Sequence, residues 1–197
     1  MTSGAPAAGG DPVYSTKPSL MGAPWEFRLA PDALEWSAGG HRGRVAYARI
    51  GRVRLSFRPV TMQTRRFVAE IFPAGGGRLA IASTSWRSLV EQQAQDREYG
   101  DFIRELHRRM VAAGAAAAFE TGTPAVLYWP GLAVFVVCAL GLAALAVRAL
   151  ALGELAGAAL VGGFFALFVW QSTSYFQRNR PGCYRPDALP AELVPGG

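Results

Sequence analysis

The chain has 197 residues, 51% of them hydrophobic and 17% charged, and its 20 Lys+Arg against 14 Asp+Glu give a formal charge of +6. That composition excludes a disordered chain, and two cysteines exclude a disulfide scaffold. The average conceals a split: no charged residue falls between Thr121 and Val147 or between Leu155 and Gln177, which reads as a membrane protein with one modest soluble domain.

Residues 1–22 are rich in Gly, Ala, Pro, Ser and Thr. They read as a disordered tail, and they lack the charged start and apolar stretch of a cleaved signal. The domain follows over 23–113. Trp25, Phe27 and Leu29 alternate with Glu26 and Arg28, Pro31 and Asp32 turn the chain, and Leu34 and Trp36 alternate again, which predicts a hairpin. Gly39 and Gly40 mark the next break, before a strand around Arg42 to Ala48. Further strands are predicted with Val53, Leu55 and Phe57 on one face, with Phe67, Ala69 and Ile71 on one face, and, beyond a Gly75 to Gly77 turn, around Leu79 and Ile81. The count is six or seven antiparallel strands.

The period then becomes helical. Tyr99, Phe102, Ile103, Leu106 and Met110 form an apolar stripe, Ser88 with Glu91 fits a capping box, and Gly114 is a stop signal. A linker is expected over 114–124. The apolar runs 125–147 and 155–176 each satisfy the length of a membrane span, so residues 125–177 are predicted to form a transmembrane helical hairpin. Arg108, Arg109, Arg178, Arg180 and Arg185 flank its open end against Arg148 alone in the turn. Cytoplasmic flanks are enriched in such residues, so both termini are expected in the cytoplasm. Tyr128, Trp129, Trp170, Tyr175 and Phe176 would then share one membrane interface. The basic, proline-broken residues 178–197 are expected as a tail along the headgroups. Nineteen of the twenty basic residues are arginine, which with the abundant alanine suggests GC-rich coding and a bacterial inner membrane.

Short antiparallel strands followed by one helix resemble the pleckstrin-homology-like (PH-like) fold. Tyr47, Ile50 and Val53 are similar to the Y-x-x-I-x-x-V stretch of small bacterial membrane proteins of that kind, and the likeness covers about Trp25 to Val111. The resemblance implies an α+β fold, a PH-like antiparallel β-roll or barrel capped by a C-terminal amphipathic helix, followed by the two-helix hairpin. It does not imply phosphoinositide binding, because the first hairpin turn, Ala30-Pro31-Asp32, carries no basic residue.

Candidate sites follow from charge and spacing. Eight arginines and no acid lie between Glu35 and Glu70. Of these, Arg42, Arg44, Arg52, Arg54, Arg58, Arg65 and Arg66 are candidates for contact with lipid or a partner. Arg52, Arg54 and Arg58 share a parity opposite the apolar residues of their strand, so they should project from one face. Near an anionic leaflet each would contribute about 1 kcal/mol. The competing reading is a solvated face paired with Glu70 and the helix acids. Gly153, Gly157, Ala158 and Gly162 are candidates for close helix packing, within the hairpin or in a homo-oligomer.

The glycine run before Arg78 lacks the Lys-Ser/Thr ending of a phosphate loop and reads as a turn. His41 and His107 lack ligand or nucleophile partners at useful spacing and read as surface residues. Ser83, Thr84 and Ser85 serve a strand-to-helix transition. No catalytic set, metal site or cofactor is predicted, and nucleic acid is disfavoured because no stacking array accompanies the arginines. The expected partners are an anionic phospholipid bilayer and a membrane or cytoplasmic protein. The expected function is a non-enzymatic membrane-anchored binding module, with an accessory subunit of a larger membrane enzyme or transporter as the alternative.

Overall fold

The computed structural model describes residues 10–18, 23–58, 65–86 and 92–195, and the chain divides into two compact units. The first joins residues 1–120 to 183–197; the second is the intervening stretch 121–182.

In the first unit, strands β1 (Val13–Thr16), β2 (Trp25–Leu29), β3 (Ala33–Ala38) and β4 (His41–Ala46) make an antiparallel meander in chain order. Phe27 lies opposite Trp36, and Leu34 opposite Val45, so one face is apolar. A single 3-10 turn, Tyr47–Arg49, leads into β5 (Ile50–Phe57), which pairs with β6 (Phe67–Pro73), and β6 pairs with β7 (Leu79–Ala82). Strands β8 (Thr84–Trp86) and β9 (Gln92–Ala94) form a ribbon of their own. Helix α1 (Asp96–Ala112) comes next, then β10 (Ala118–Thr121). The second sheet has the order β11-β10-β5-β6-β7, with the two-residue β11 (Gly182–Cys183) at its edge.

The alternation read from the sequence explains the core. Phe27, Leu29, Leu34, Val53, Leu55, Ile71 and Ile81 enter it from the two sheets, and Tyr99, Phe102, Ile103, Leu106 and Met110 enter it from α1. Tyr47 is fully buried, and its hydroxyl donates to the Ala30 carbonyl at 2.7 Å. Arg109 fastens the helix to β2 by donating to the Leu29 carbonyl at 2.5 Å, and it pairs with Glu105 at 2.7 Å. Gly114 (φ 64°) closes α1: its N–H donates to the Val111 carbonyl and that of Ala115 to Met110, the paired bonds of a left-handed helix stop.

Several expectations need correction. Residues 13–16 are not part of a disordered tail. Tyr14 and Thr16 are buried, with the Tyr14 hydroxyl donating to the Ala82 carbonyl at 2.6 Å and Thr16 Oγ1 to the Thr84 carbonyl at 3.0 Å. Residues 118–121 of the expected linker are strand β10 beside β5. Residues 184–195 are not the expected tail along headgroups: Leu193 and Val194 are buried in the core cluster, with Tyr184 and Leu189 packed against it. The β-roll is two sheets and a ribbon, with no closed barrel among the described residues. The Ser88–Glu91 capping box lies outside the described residues, and α1 starts at Asp96, after β9.

The second unit is two helices, α2 (Ala125–Ala151) and α3 (Leu155–Arg178), each long and apolar enough to cross a membrane. Pro130 stands in the second turn of α2. A second left-handed stop joins the helices: Gly153 has φ 77°, its N–H donates to Leu150, and that of Glu154 donates to Ala149. At the open end the Tyr128 hydroxyl donates to the Phe176 carbonyl at 3.2 Å, and Phe135 packs against Phe168 and Phe176, both at 5.2 Å between ring centroids. Trp129 and Trp170 point outward, 59% and 70% exposed.

Candidate functional site

The candidate arginines divide between two sheets. Arg42 and Arg44 are on β4, on the face of the first sheet away from the core, beside an open hollow of about 430 Å³ that they line with Glu26, Arg28, Glu35 and Trp36. Acids balance that face. Arg44 bonds Asp32 at 2.6 Å and lies 3.5 Å from Glu35, and Arg28 lies 3.7 Å from Asp11. Trp36 closes over Gly43, where an added Cβ would come within 2.6 Å of the indole.

The outer face of the second sheet is different. Register places Arg52 opposite Phe72, Arg54 opposite Glu70 and Ser56 opposite Val68. The Arg58 N–H donates to the Arg66 carbonyl at 2.8 Å, so these two arginines are the next pair on that same face. Arg78 reaches it from the β6–β7 turn. Five arginines (52, 54, 58, 66 and 78) therefore face two glutamates, Glu70 and Glu120, a local charge of +3.

Each glutamate serves two arginines. Glu120 of β10 accepts from Arg54 Nη2 at 2.6 Å and Nε at 3.1 Å and lies 3.5 Å from Arg52 Nε. Both guanidiniums also stand over the Phe72 ring, 5.5 and 5.7 Å from its centroid, where the ring face attracts a cation. Glu70 is nearly fully buried and accepts from Arg58 at 2.8 Å and Arg78 at 2.9 Å. With its side chain only 13% exposed, Arg54 is a packing residue, whereas the Arg52, Arg58 and Arg78 side chains are about half exposed. Arg65 is exposed at the start of the β6 arm.

Arg66 has no carboxylate partner among the described residues. It is half-buried, its Nε is shut from solvent with no hydrogen-bond partner, and burial, then the Arg58 charge, hold its pKa below the usual arginine value. The Ser56 hydroxyl on the same face is likewise buried and without a partner.

Sequence reasoning missed Glu120, because a four-residue strand inside an expected linker gave little signal beyond the Ala118, Phe119, Glu120 alternation. It also placed His107 on the surface. The ring is buried on α1, with Nδ1 2.7 Å from the Ile103 carbonyl and Nε2 2.8 Å from the Tyr184 hydroxyl, and it stacks near Phe119 and Tyr184. Tyr184, hidden in an expected tail, carried no periodic pattern.

Of the helix-packing candidates, Ala158 is buried, while Gly157 and Gly162 are half-buried. Gly153 is exposed in the interhelical turn, where the left-handed stop, not close packing, requires glycine. Among the described residues no group of three or more His, Cys, Asp or Glu gathers. Compared with known proteins, the chain matches no family model, and no curated protein or solved structure is similar to it.

Proposed function

We propose that this chain is a membrane-anchored binding module, not an enzyme, in which a PH-like domain at the cytoplasmic face of a bacterial inner membrane offers a basic sheet face to anionic lipid or a protein partner. A four-strand meander, a three-strand meander, a two-strand ribbon and then a helix support the PH-like reading. The observation that carries the proposal is the division of the chain: one compact unit is built from residues on both sides of the apolar hairpin. Two spans that leave and return to one folded unit tether it at both ends and keep it at high effective concentration near the bilayer. The arginines flanking the open end favour the cytoplasmic side. On the second sheet the charge of +3 makes anionic lipid the favoured contact.

The test uses the full chain in nanodiscs. Hydrogen exchange over β5 and β6 should slow when phosphatidylglycerol replaces phosphatidylcholine, and salt should reverse the effect. Indifference to lipid charge, together with no protein recovered by crosslinking in intact membranes, would overturn the proposal. The accessory-subunit reading is favoured by the open side of α3, where Ala159 and Gly163 are exposed and a Cβ on Gly163 would meet nothing within 4 Å. Stable co-migration with one large complex in detergent would support it.

A further inference from the structure

We infer that Arg66, with Arg58 and Ser56, forms a binding site for a phosphate-type oxyanion on the outer face of the second sheet. The inference rests on the reading of this face as an interaction surface and names what it takes.

Three observations converge. Arg58 and Arg66 are direct cross-strand neighbours, and like charges facing each other across a ladder are unfavourable unless something between them is negative. Arg58 spends its guanidinium on Glu70, two pairs along the ladder, and the pair between them, Ser56 and Val68, is 5% and 3% exposed. Glu70 is shared with Arg78 and reaches no further. Among the described residues Arg66 thus remains the one arginine of the face without an acceptor for its buried Nε, beside a serine hydroxyl in the same condition. A guanidinium stays protonated at any accessible pH, so the orphaned N–H is relieved only by an acceptor.

An oxyanion supplies it. Turning the Arg66 stem presents Nε and one Nη side by side, the fork that matches two oxygens of a phosphoryl group. Ser56 Oγ then donates to a third oxygen, and Arg58 supplies charge from across the strand. The resting Nε has no partner to lose in that turn. A carboxylate ligand would have to share one of its two oxygens between the fork and the serine, whereas a phosphoryl group offers the serine a third oxygen of its own, which favours phosphate. The first sheet offers no equivalent, since Arg44 already holds Asp32 and Glu35.

The source of the phosphoryl group, a lipid headgroup or a free phosphate, is separated by two arms. In the first, inorganic phosphate is titrated calorimetrically into the full chain in neutral detergent; in the second, hydrogen exchange over residues 65–68 is compared in phosphatidylglycerol and phosphatidylcholine nanodiscs. The variants are Arg66→Lys, which keeps the charge and loses the fork, and Ser56→Ala, with Arg28→Gln on β2 of the other sheet as control. Saturable phosphate binding weakened about tenfold by Arg66→Lys and several-fold by Ser56→Ala, with Arg28→Gln unchanged, establishes the site for free phosphate. Protection only in phosphatidylglycerol, abolished by Arg66→Lys, establishes it for the headgroup. Lipid-dependent protection that Arg66→Lys leaves intact overturns the site while the basic-face reading stands. Phosphate binding without lipid dependence keeps the site and removes the lipid reading. Binding in neither arm overturns the site.

Discussion

The Tyr184 hydroxyl donates to Nε2 of His107 at 2.8 Å, and Nδ1 of the same ring lies 2.7 Å from the Ile103 carbonyl. A carbonyl only accepts, so Nδ1 carries the hydrogen and the ring is the neutral Nδ1–H tautomer, free at Nε2 to receive the tyrosine. This bond joins the helix before the apolar hairpin to a residue that follows it. Burial, partly offset by the Ile103 bond, pushes the imidazole down to about 4 from its usual 6.5.

The pH dependence follows. The unfolded ring takes up its proton near pH 6.5 and the folded one only near 4, so between these values the unfolded chain binds more protons. Stability should therefore fall as pH is lowered through that window, by roughly 3 kcal/mol in total. Glu105, held below the usual carboxylate range chiefly by Arg108, adds a further loss that begins only around its unfolded value of 4.5. Chemical denaturation of the full chain in detergent should show the slope, and His107→Gln should flatten the part above about pH 4.5. An unchanged slope in that variant would mean the ring titrates normally.

The last residues of the domain are held by close contact. A Cβ on Gly100 of α1 would come within 2.0 Å of the Pro195 carbonyl oxygen, and Arg104 donates to that oxygen at 3.1 Å. Gly100→Ala should displace residues 193–195 and lower stability by about 2 kcal/mol, and Leu193→Ala by about 2–4 kcal/mol through the lost burial. Gly163→Ala, with open space around its Cβ, should change the melting temperature little. Melting temperature and protease sensitivity near residue 190 check all three.

Glu70 sets the charge of the second sheet's outer face. Glu70→Gln removes the shared partner of Arg58 and Arg78 and should cost about 1–3 kcal/mol, while the face goes from +3 to +4. Binding to phosphatidylglycerol vesicles should tighten even as the denaturation midpoint falls. Weaker binding in the variant would show that the carboxylate helps to build the surface and does not oppose it.

What the sequence disclosed depended on run length. Val53, Leu55 and Phe57, the stripe from Tyr99 to Met110, and the two apolar runs each repeat their period often enough to be read, and their burial or exposure in the structure agrees. Val13 to Thr16, Ala118 to Thr121 and residues 184–195 each contribute few core side chains; the first pairs locally with β2, but the bonds that bury its Tyr14 and Thr16, like the strand partner of β10 in β5, lie more than 60 positions away. His107 was illegible for the same reason, because its second partner is Tyr184. For the basic face, parity within β5 was readable, but the pairing of Glu120 with Arg54, which withdraws that arginine into the packing, required the fold.

One folded unit is made from both flanks of the hairpin, and cysteine accessibility is the sharpest test of it. In a chain with Cys138 and Cys183 replaced by serine, His41→Cys, Asp187→Cys and Leu152→Cys are labelled one at a time with a membrane-impermeant maleimide. His41→Cys and Asp187→Cys should both be protected in intact cells and labelled in inverted vesicles, with Leu152→Cys showing the reverse. Labelling of His41→Cys and Asp187→Cys from opposite sides would contradict the account, since no single domain can hold residues that a bilayer separates.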